Sequence, residues 1–335
     1  MSALKKIYYH TASLLPMRMF RSGGPNHVLL PYHHLVSNKD VAHIQRLYSY
    51  KNEKVFTDDL DFLLKNYTPV HPDALYNAVH TGQSIPKGSF LLTFDDGLRE
   101  VYDIIAPLLH KKGIPAIFFI NPAFIDNKEL FYRCKISLLI HELKQHNALR
   151  PLYAGVLKVP VNEKNIVHTL CSIDQCNAHL LDDIAAKTGY SFREYLEKQQ
   201  PFLNREQLIA LHRQGFTIGA HSMDHPYYKL LPEEEQVRQT IDSCRYVKEL
   251  TGQTICHFSF PHSDADVPKK VVDAIRQQNE GLLFGIQNQK QELQNNILHR
   301  FNAERPEIPF EKLIKGQLLL NRLLQLAGRN IVNRT

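Results

Sequence analysis

Apolar residues recur along this 335-residue chain in two rhythms that take turns. Short apolar or β-branched runs, too brief for helices and bounded by glycine, proline or charge, lie at 28–32, 90–94, 115–120, 216–220, 256–260, 282–286 and 297–301 and predict buried strands. Between them the spacing changes to the helical period. One such segment, 56–67, puts Phe56, Leu60, Leu63 and Leu64 on one face with Thr57 as an N-cap. Others lie at 72–80, opened by Pro72, at 98–112, 205–214 and 233–250, stopped by Gly113, Gly215 and Gly252, and at 268–278 and 309–326. Strands alternating with helices of this length predict right-handed βαβ units and a parallel sheet. With seven or eight such strands the expected fold is α/β, a distorted parallel (β/α) barrel.

Two stretches depart from the alternation. Residues 129–200 read as helical with a single short strand at 156–161, and predict a helical insertion over the top of the barrel, with His141, His146, His168 and His179 as surface or packing residues. Residues 1–27 read as an irregular lead-in across the outside of the barrel, given some amphipathic character by Leu14, Leu15, Met17, Met19 and Phe20. The organisation is therefore a lead-in over 1–27, a barrel over 28–302 carrying an insertion at about 129–200, and a C-terminal amphipathic helix within 303–335.

Composition narrows the setting. Apolar content of 43% and charged content of 22% are those of a globular protein. The net charge of +6 and pI near 8.9 come from dispersed Lys and Arg, so nucleic acid is not an expected partner. The five cysteines, Cys134, Cys171, Cys176, Cys244 and Cys256, form no C-x-x-C pair, which points to a reducing compartment rather than a disulfide framework. No apolar run approaches the roughly 18 residues of a membrane span, and no apolar leader follows the first lysines. A cytoplasmic protein, in reach of the inner membrane face, is the expectation. The C-terminal helix mixes Leu313, Leu319, Leu320, Leu323 and Leu324 with Lys312, Lys315, Arg322 and Arg329, and so suits either packing on the barrel or contact with an anionic membrane.

Polar groups with chemical potential collect where predicted strands end, which in a parallel barrel is one rim. Asp95 and Asp96 follow the strand at 90–94, and two adjacent buried carboxylates need a compensating cation. His221 and His225 follow the strand at 216–220, four apart, a spacing that places both on one side of a helical turn. Two imidazoles and one carboxylate form a facial ligand set with positions open to water and substrate. The second carboxylate is then free to take a proton from metal-bound water.

At this point the residues resemble those of the polysaccharide deacetylase family, the carbohydrate esterases with the NodB homology domain. Thr93-Phe94-Asp95-Asp96-Gly97 is similar to the family's motif T-F-D-D-G, and His221-Ser222-Met223-Asp224-His225 to its H-[ST]-x-x-H. The resemblance implies Asp95 as general base and Asp96, His221 and His225 as ligands of one divalent ion, taken as zinc although the same donors accept Co, Ni, Mn or Fe. The family's R-x-P-Y is represented by Ser259-Phe260-Pro261-His262, without its arginine and tyrosine, and its D-x-x-D-W has no counterpart in a chain without tryptophan. Phe260, Pro261 and His262 are thus expected at the substrate, with Arg300 as the arginine that stands in. The motif L-x-x-H, which supplies the general acid, fits Leu30-Pro31-Tyr32-His33, as in members whose barrel is permuted. His33 is therefore the implied acid, followed by His34 and then His299.

The implied activity is removal of an N-acetyl group from an amino sugar. The expected substrate is a cytoplasmic N-acetylated saccharide, nucleotide-linked or lipid-linked. Three rivals remain: a non-haem Fe(II) oxygenase, which needs an antiparallel double-sheet barrel, a non-catalytic glycan-binding relative, and a C–N hydrolase acting on a small amide or formamide.

Overall fold

The computed structural model describes residues 9, 11–21, 28–292 and 297–334. Eight parallel strands form its main sheet: β2 (Pro31–His33), β5 (Leu92–Phe94), β6 (Ala116–Ile120), β7 (Thr217–Ala220), β8 (Phe258–Ser259), β9 (Leu283–Gly285), β10 (Leu298–His299) and β11 (Phe301–Asn302). The sheet closes through its last segment. β10 pairs with β9 and β11 pairs with β2, and only Arg300 separates the two. The result is a parallel barrel whose closing strand is shared by both edges, in agreement with the alternation in the sequence.

The strand expected at 28–32 is divided. Its first part, β1 (Val28–Leu29), joins β4 (Ser89–Phe90) and β3 (Thr68–Pro69) in a small parallel side sheet, and only the remainder enters the barrel. Alternation along the strands then sorts side chains between two layers. Leu30, Leu91, Ile117, Phe119 and Phe284 fill the interior, whereas Leu92, Phe94, Phe118, Ile120 and Ile218 pack outward under the helices.

Helix ends follow local chemistry, with corrections to the expectation. The helix Glu53–Asn66 starts earlier than predicted, because Asn52 rather than Thr57 caps it, its Oδ1 accepting from Val55 N at 2.8 Å. Arg205–Arg213 is opened by a capping box between Asn204 and Gln207. The stretch predicted at 98–112 has a π turn at Val101–Ile105 before its α-helical part, Ala106–Lys112. The insertion carries five α-helices, Tyr132–Gln145, Arg150–Leu157, Glu163–Ser172, His179–Thr188 and Phe192–Gln199, around an apolar core that also takes in Leu35, Val41, Ile44 and Leu98, and 156–161 is the end of a helix and a loop rather than a strand. The final helix, Phe310–Leu326, buries Phe310, Leu313, Ile314 and Leu318 against the barrel. No helix among the described residues is long and apolar enough to cross a membrane. The part of the lead-in at 1–8, 10 and 22–27 lies outside the described residues.

Candidate active site

The ends of β2, β5, β7 and β8 open into a cleft of about 680 Å³. At its floor the chain runs from β5 into Asp95 and Asp96. Asp96 holds a positive φ of 73° and Gly97 one of 61°. A side chain on Gly97 would strain the backbone and press on Ile120 Cγ2 at 3.1 Å, so the motif needs its glycine. Three more residues with positive φ, Ser222, His225 and His262, surround the same cleft. Strained backbone held by its surroundings is characteristic of functional sites.

His221 and His225 reach Asp96 by an irregular loop, not by the helical turn that their spacing suggests. The Ser222 hydroxyl accepts from His225 N at 3.1 Å, Asn121 Nδ2 donates to the carbonyls of His221 and Ser222, and Gln239 Oε1 accepts from Met223 N at 2.9 Å. These bonds close the loop and point both rings at Asp96. His225 Nε2 lies 3.2 Å and His221 Nε2 3.6 Å from Asp96 Oδ1, an oxygen that is buried without a hydrogen-bond partner among the described residues. An orphaned carboxylate oxygen facing two imidazole nitrogens is a donor set suited to a divalent cation.

The outer nitrogens of the two rings are also fixed. His221 Nδ1 lies 2.7 Å from the Ser259 carbonyl, so it donates there and leaves Nε2 as an acceptor. Burial lowers the pKa of His221 to about 4, which keeps it neutral as a ligand must be. His225 Nδ1 meets His262 Nε2 at 3.1 Å, and His262 stacks on Tyr227 at 3.6 Å. Burial first, then the neighbouring His225, holds His262 well below the usual imidazole range, so its Nε2 is free to accept. His262 thus stands behind His225 as well as lining the cleft, where Phe260 also lies. Pro261 is buried and off the cleft wall.

Asp95 faces the same point from the side, its Oδ2 3.9 Å from His221 Nε2. Arg300 forks it, Nη1 to Oδ1 at 2.7 Å and Nη2 to Oδ2 at 2.8 Å. The guanidinium also donates to Thr93 Oγ1 at 2.9 Å and to Ser259 Oγ at 2.5 Å, and it lies 4.8 Å from the Tyr32 ring centroid. Burial alone would raise the Asp95 pKa, but Arg300 beside it brings the carboxyl below its ordinary value. Arg300 itself is fully buried and off the cleft wall, where it holds Asp95 in place. Ser259, at the place of the R-x-P-Y arginine, thus accepts a hydrogen bond from Arg300.

The three candidate acids are placed very differently. His33 pairs in register with Phe94 and turns outward, stacked on it at 5.7 Å and edge-on to Phe56 at 5.4 Å, with its pKa well below the usual range through burial. It is not brought to the cleft. His34 is: like Tyr32 two residues earlier it lines the wall, and its Nδ1 is 2.8 Å from Glu304 Oε2. Burial pushes His34 down, but the Glu304 carboxylate and its hydrogen bond overcome this and raise it to about 9. His299 is buried away from the cleft among Asp264, Glu292 and Arg334, 3.0 Å from Glu292 Oε2. That second cluster of donors already has its cation, since Arg334 bonds Asp264 Oδ2 at 2.5 Å and Glu292 Oε1 at 2.6 Å.

Glu304, Tyr48, Arg133 and Tyr227 belong to this site and carry no motif. Glu304 lies at even spacing beyond Arg300, which would have put both on one side of the last strand. Tyr48 lines the cleft with a buried hydroxyl that lacks a partner among the described residues. Arg133, at the start of the insertion's first helix, also lines it and donates to the Tyr227 hydroxyl at 3.1 Å.

Comparison with known proteins gives one family and one fold. The family model "Polysaccharide deacetylase" matches residues 82–279. No curated protein matches by sequence. Among solved structures, the chain is similar to the Streptococcus pyogenes deacetylase PplD in complex with acetate, with 13% identity, 87% of this chain and 97% of that one covered, and a TM-score of 0.57. IcaB from Ammonifex degensii follows with 16% identity, coverage of 87% and 97% and a TM-score of 0.55. A de-N-acetylase from Aggregatibacter actinomycetemcomitans has 14% identity, coverage of 86% and 99%, and a TM-score of 0.55.

Proposed function

Because this chain belongs to the polysaccharide deacetylase family, we propose that it is a metal-dependent hydrolase that removes the N-acetyl group from an amino sugar in a glycan or glycan precursor. The observation that carries this reading is the convergence of Asp96, His221 and His225 on one point with the Arg300-forked Asp95 beside it. An ion held by Asp96, His221 and His225, zinc or one of Co, Ni, Mn and Fe, would polarise the acetyl carbonyl and acidify a water. Asp95 accepts the proton of the attacking water, since each of its forked oxygens keeps a lone pair. His34, not His33, donates the proton to the departing amine: Glu304 holds its Nδ1, leaving Nε2 for the cleft. Arg300 removes the main support for a non-catalytic relative, because the guanidinium that the third motif lacks is present beside Asp95 from another strand. The parallel barrel is likewise not the antiparallel fold that the oxygenase reading requires.

Two of these neighbours are described as a deacetylase and a de-N-acetylase, and the first was solved with acetate, the product this reaction would release. For the substrate itself, Arg133 is informative. It lines the cleft and makes no ion pair among the described residues, so it offers an uncompensated charge to a phosphate. All five cysteines are free thiols, which suits a reducing compartment. We therefore favour a cytoplasmic, nucleotide-linked or lipid-linked N-acetylated amino sugar. The experiment is acetate release from N-acetylglucosamine-containing substrates by the zinc-loaded or cobalt-loaded protein. Release that Asp95→Asn abolishes is the expected result; no release by the wild type, or release that Asp95→Asn leaves intact, overturns the reading.

A further inference from the structure

The two ends of the chain share an unusual composition. None of the 34 acidic residues lies in 1–39 or 312–335, whereas ten of the 40 Lys and Arg do. The fold brings described parts of these segments side by side. Lys315 Nζ donates to the Leu15 carbonyl at 2.7 Å, and Arg322 donates to the Met19 carbonyl at 2.5 Å with its guanidinium 5.4 Å from the Phe20 ring centroid. Tyr9 lies so close on Gly316 that no Cβ would fit there.

This packing uses only one face. Leu15, Met17 and Phe20 turn toward the core shared with Leu313, Ile314 and Leu318. Of the nine large apolar side chains that are exposed among the described residues, five belong to these segments: Leu14 at 75%, Met19 at 45%, Leu323 at 43%, Leu326 at 86% and Ile331 at 43%. Arg18, Arg21 and Arg329 are exposed beside them and make no ion pair among the described residues. Glu311, the carboxylate bordering the acid-free stretch, is taken up by Lys315 at 2.7 Å. A single exposed leucine needs no explanation, but a group of them amid charge of one sign has the chemistry of an interfacial surface.

We propose that this joined terminal face docks on an anionic lipid bilayer, with Leu14, Met19, Leu323 and Leu326 at the boundary of headgroups and acyl chains and Arg18, Arg21 and Arg329 among the phosphates. Packing of the final helix on the barrel and contact with a membrane are then compatible, because its first turns do the one and its last turn the other. The inference is independent of the catalytic reading.

The test is co-sedimentation of the full chain with vesicles of phosphatidylcholine and phosphatidylglycerol in equal parts, and with vesicles of phosphatidylcholine alone. Binding is expected to the mixed vesicles only, to fall as salt rises, and to weaken at least tenfold in Leu323→Glu/Leu326→Glu and about fivefold per charge in Arg18→Gln, Arg21→Gln or Arg329→Gln. An unchanged Tm shows that these variants fold. Wild-type protein that stays in the supernatant, that sediments equally with neutral vesicles, or that sediments no better than the double variant overturns the proposal. So does a concentration-dependent dimer in light scattering that the double variant abolishes, which would assign the face to a second copy of the chain.

Discussion

Arg300 and Asp95 meet in a buried two-pronged ion pair across 205 residues of sequence. Arg300 sits where the closing strand changes partners, so one residue at the seam of the barrel both ends the pairing with β9 and aims a carboxylate into the cleft. A planar fork fixes the carboxylate's orientation, which a single ammonium charge does not.

Replacing that fork separates orientation from charge. Arg300→Lys is expected to lower kcat/KM by roughly 10- to 100-fold while leaving a folded protein. Arg300→Met strands the Asp95 charge in the barrel and is expected to cost about 3–5 kcal/mol of stability, read from denaturant unfolding. An Arg300→Lys variant with full activity would show that Asp95 needs only a nearby charge.

The acid is read from a pH profile. His34 must be protonated to donate, so activity is present below its folded pKa and lost as pH rises through it, which places the alkaline limb of kcat/KM near pH 9. Glu304→Gln removes the carboxylate that raises this value and is expected to move the limb downward. His34→Gln should reduce the rate by roughly 10²- to 10⁴-fold. His33→Gln, which changes a side chain packed on Phe56 and Phe94, should alter stability and leave the limb where it is.

His262 is expected to matter through His225. In His262→Phe the Nδ1 of His225 loses its acceptor, and metal affinity measured by chelator competition should fall roughly 10- to 100-fold. Asp96→Ala should abolish tight binding altogether, and chelator-treated wild type should regain activity when zinc or cobalt is returned. Unchanged affinity in His262→Phe would confine this residue to the cleft wall.

Arg133 carries the substrate prediction. Arg133→Ala is expected to raise KM by roughly tenfold or more for a phosphate-linked amino sugar and to leave KM for a neutral N-acetylated oligosaccharide unchanged. An equal effect on both would mean that Arg133 acts only through Tyr227 and the shape of the cleft.

The barrel and the meeting of Asp96 with His221 and His225 were legible in the sequence because their signals are local. Apolar runs such as 115–120 bury on both faces and form strands whatever surrounds them, and Asp95-Asp96-Gly97 and His221 to His225 each sit on one strand end. Period-two alternation says which residues share a face but not which face is interior. That parity was decided only when β2 paired in register with β5, placing Tyr32 opposite Thr93 and His33 opposite Phe94; His33 therefore went to the core and His34 to the cleft. The partners that tune the site were set by closure of the sheet as well. Arg300 reaches Asp95, and Glu304 reaches His34 across 270 residues, only because the last strand returns beside the first. Short-range patterning therefore determined what each strand end presents, and the closing of the barrel decided which of those groups face one another.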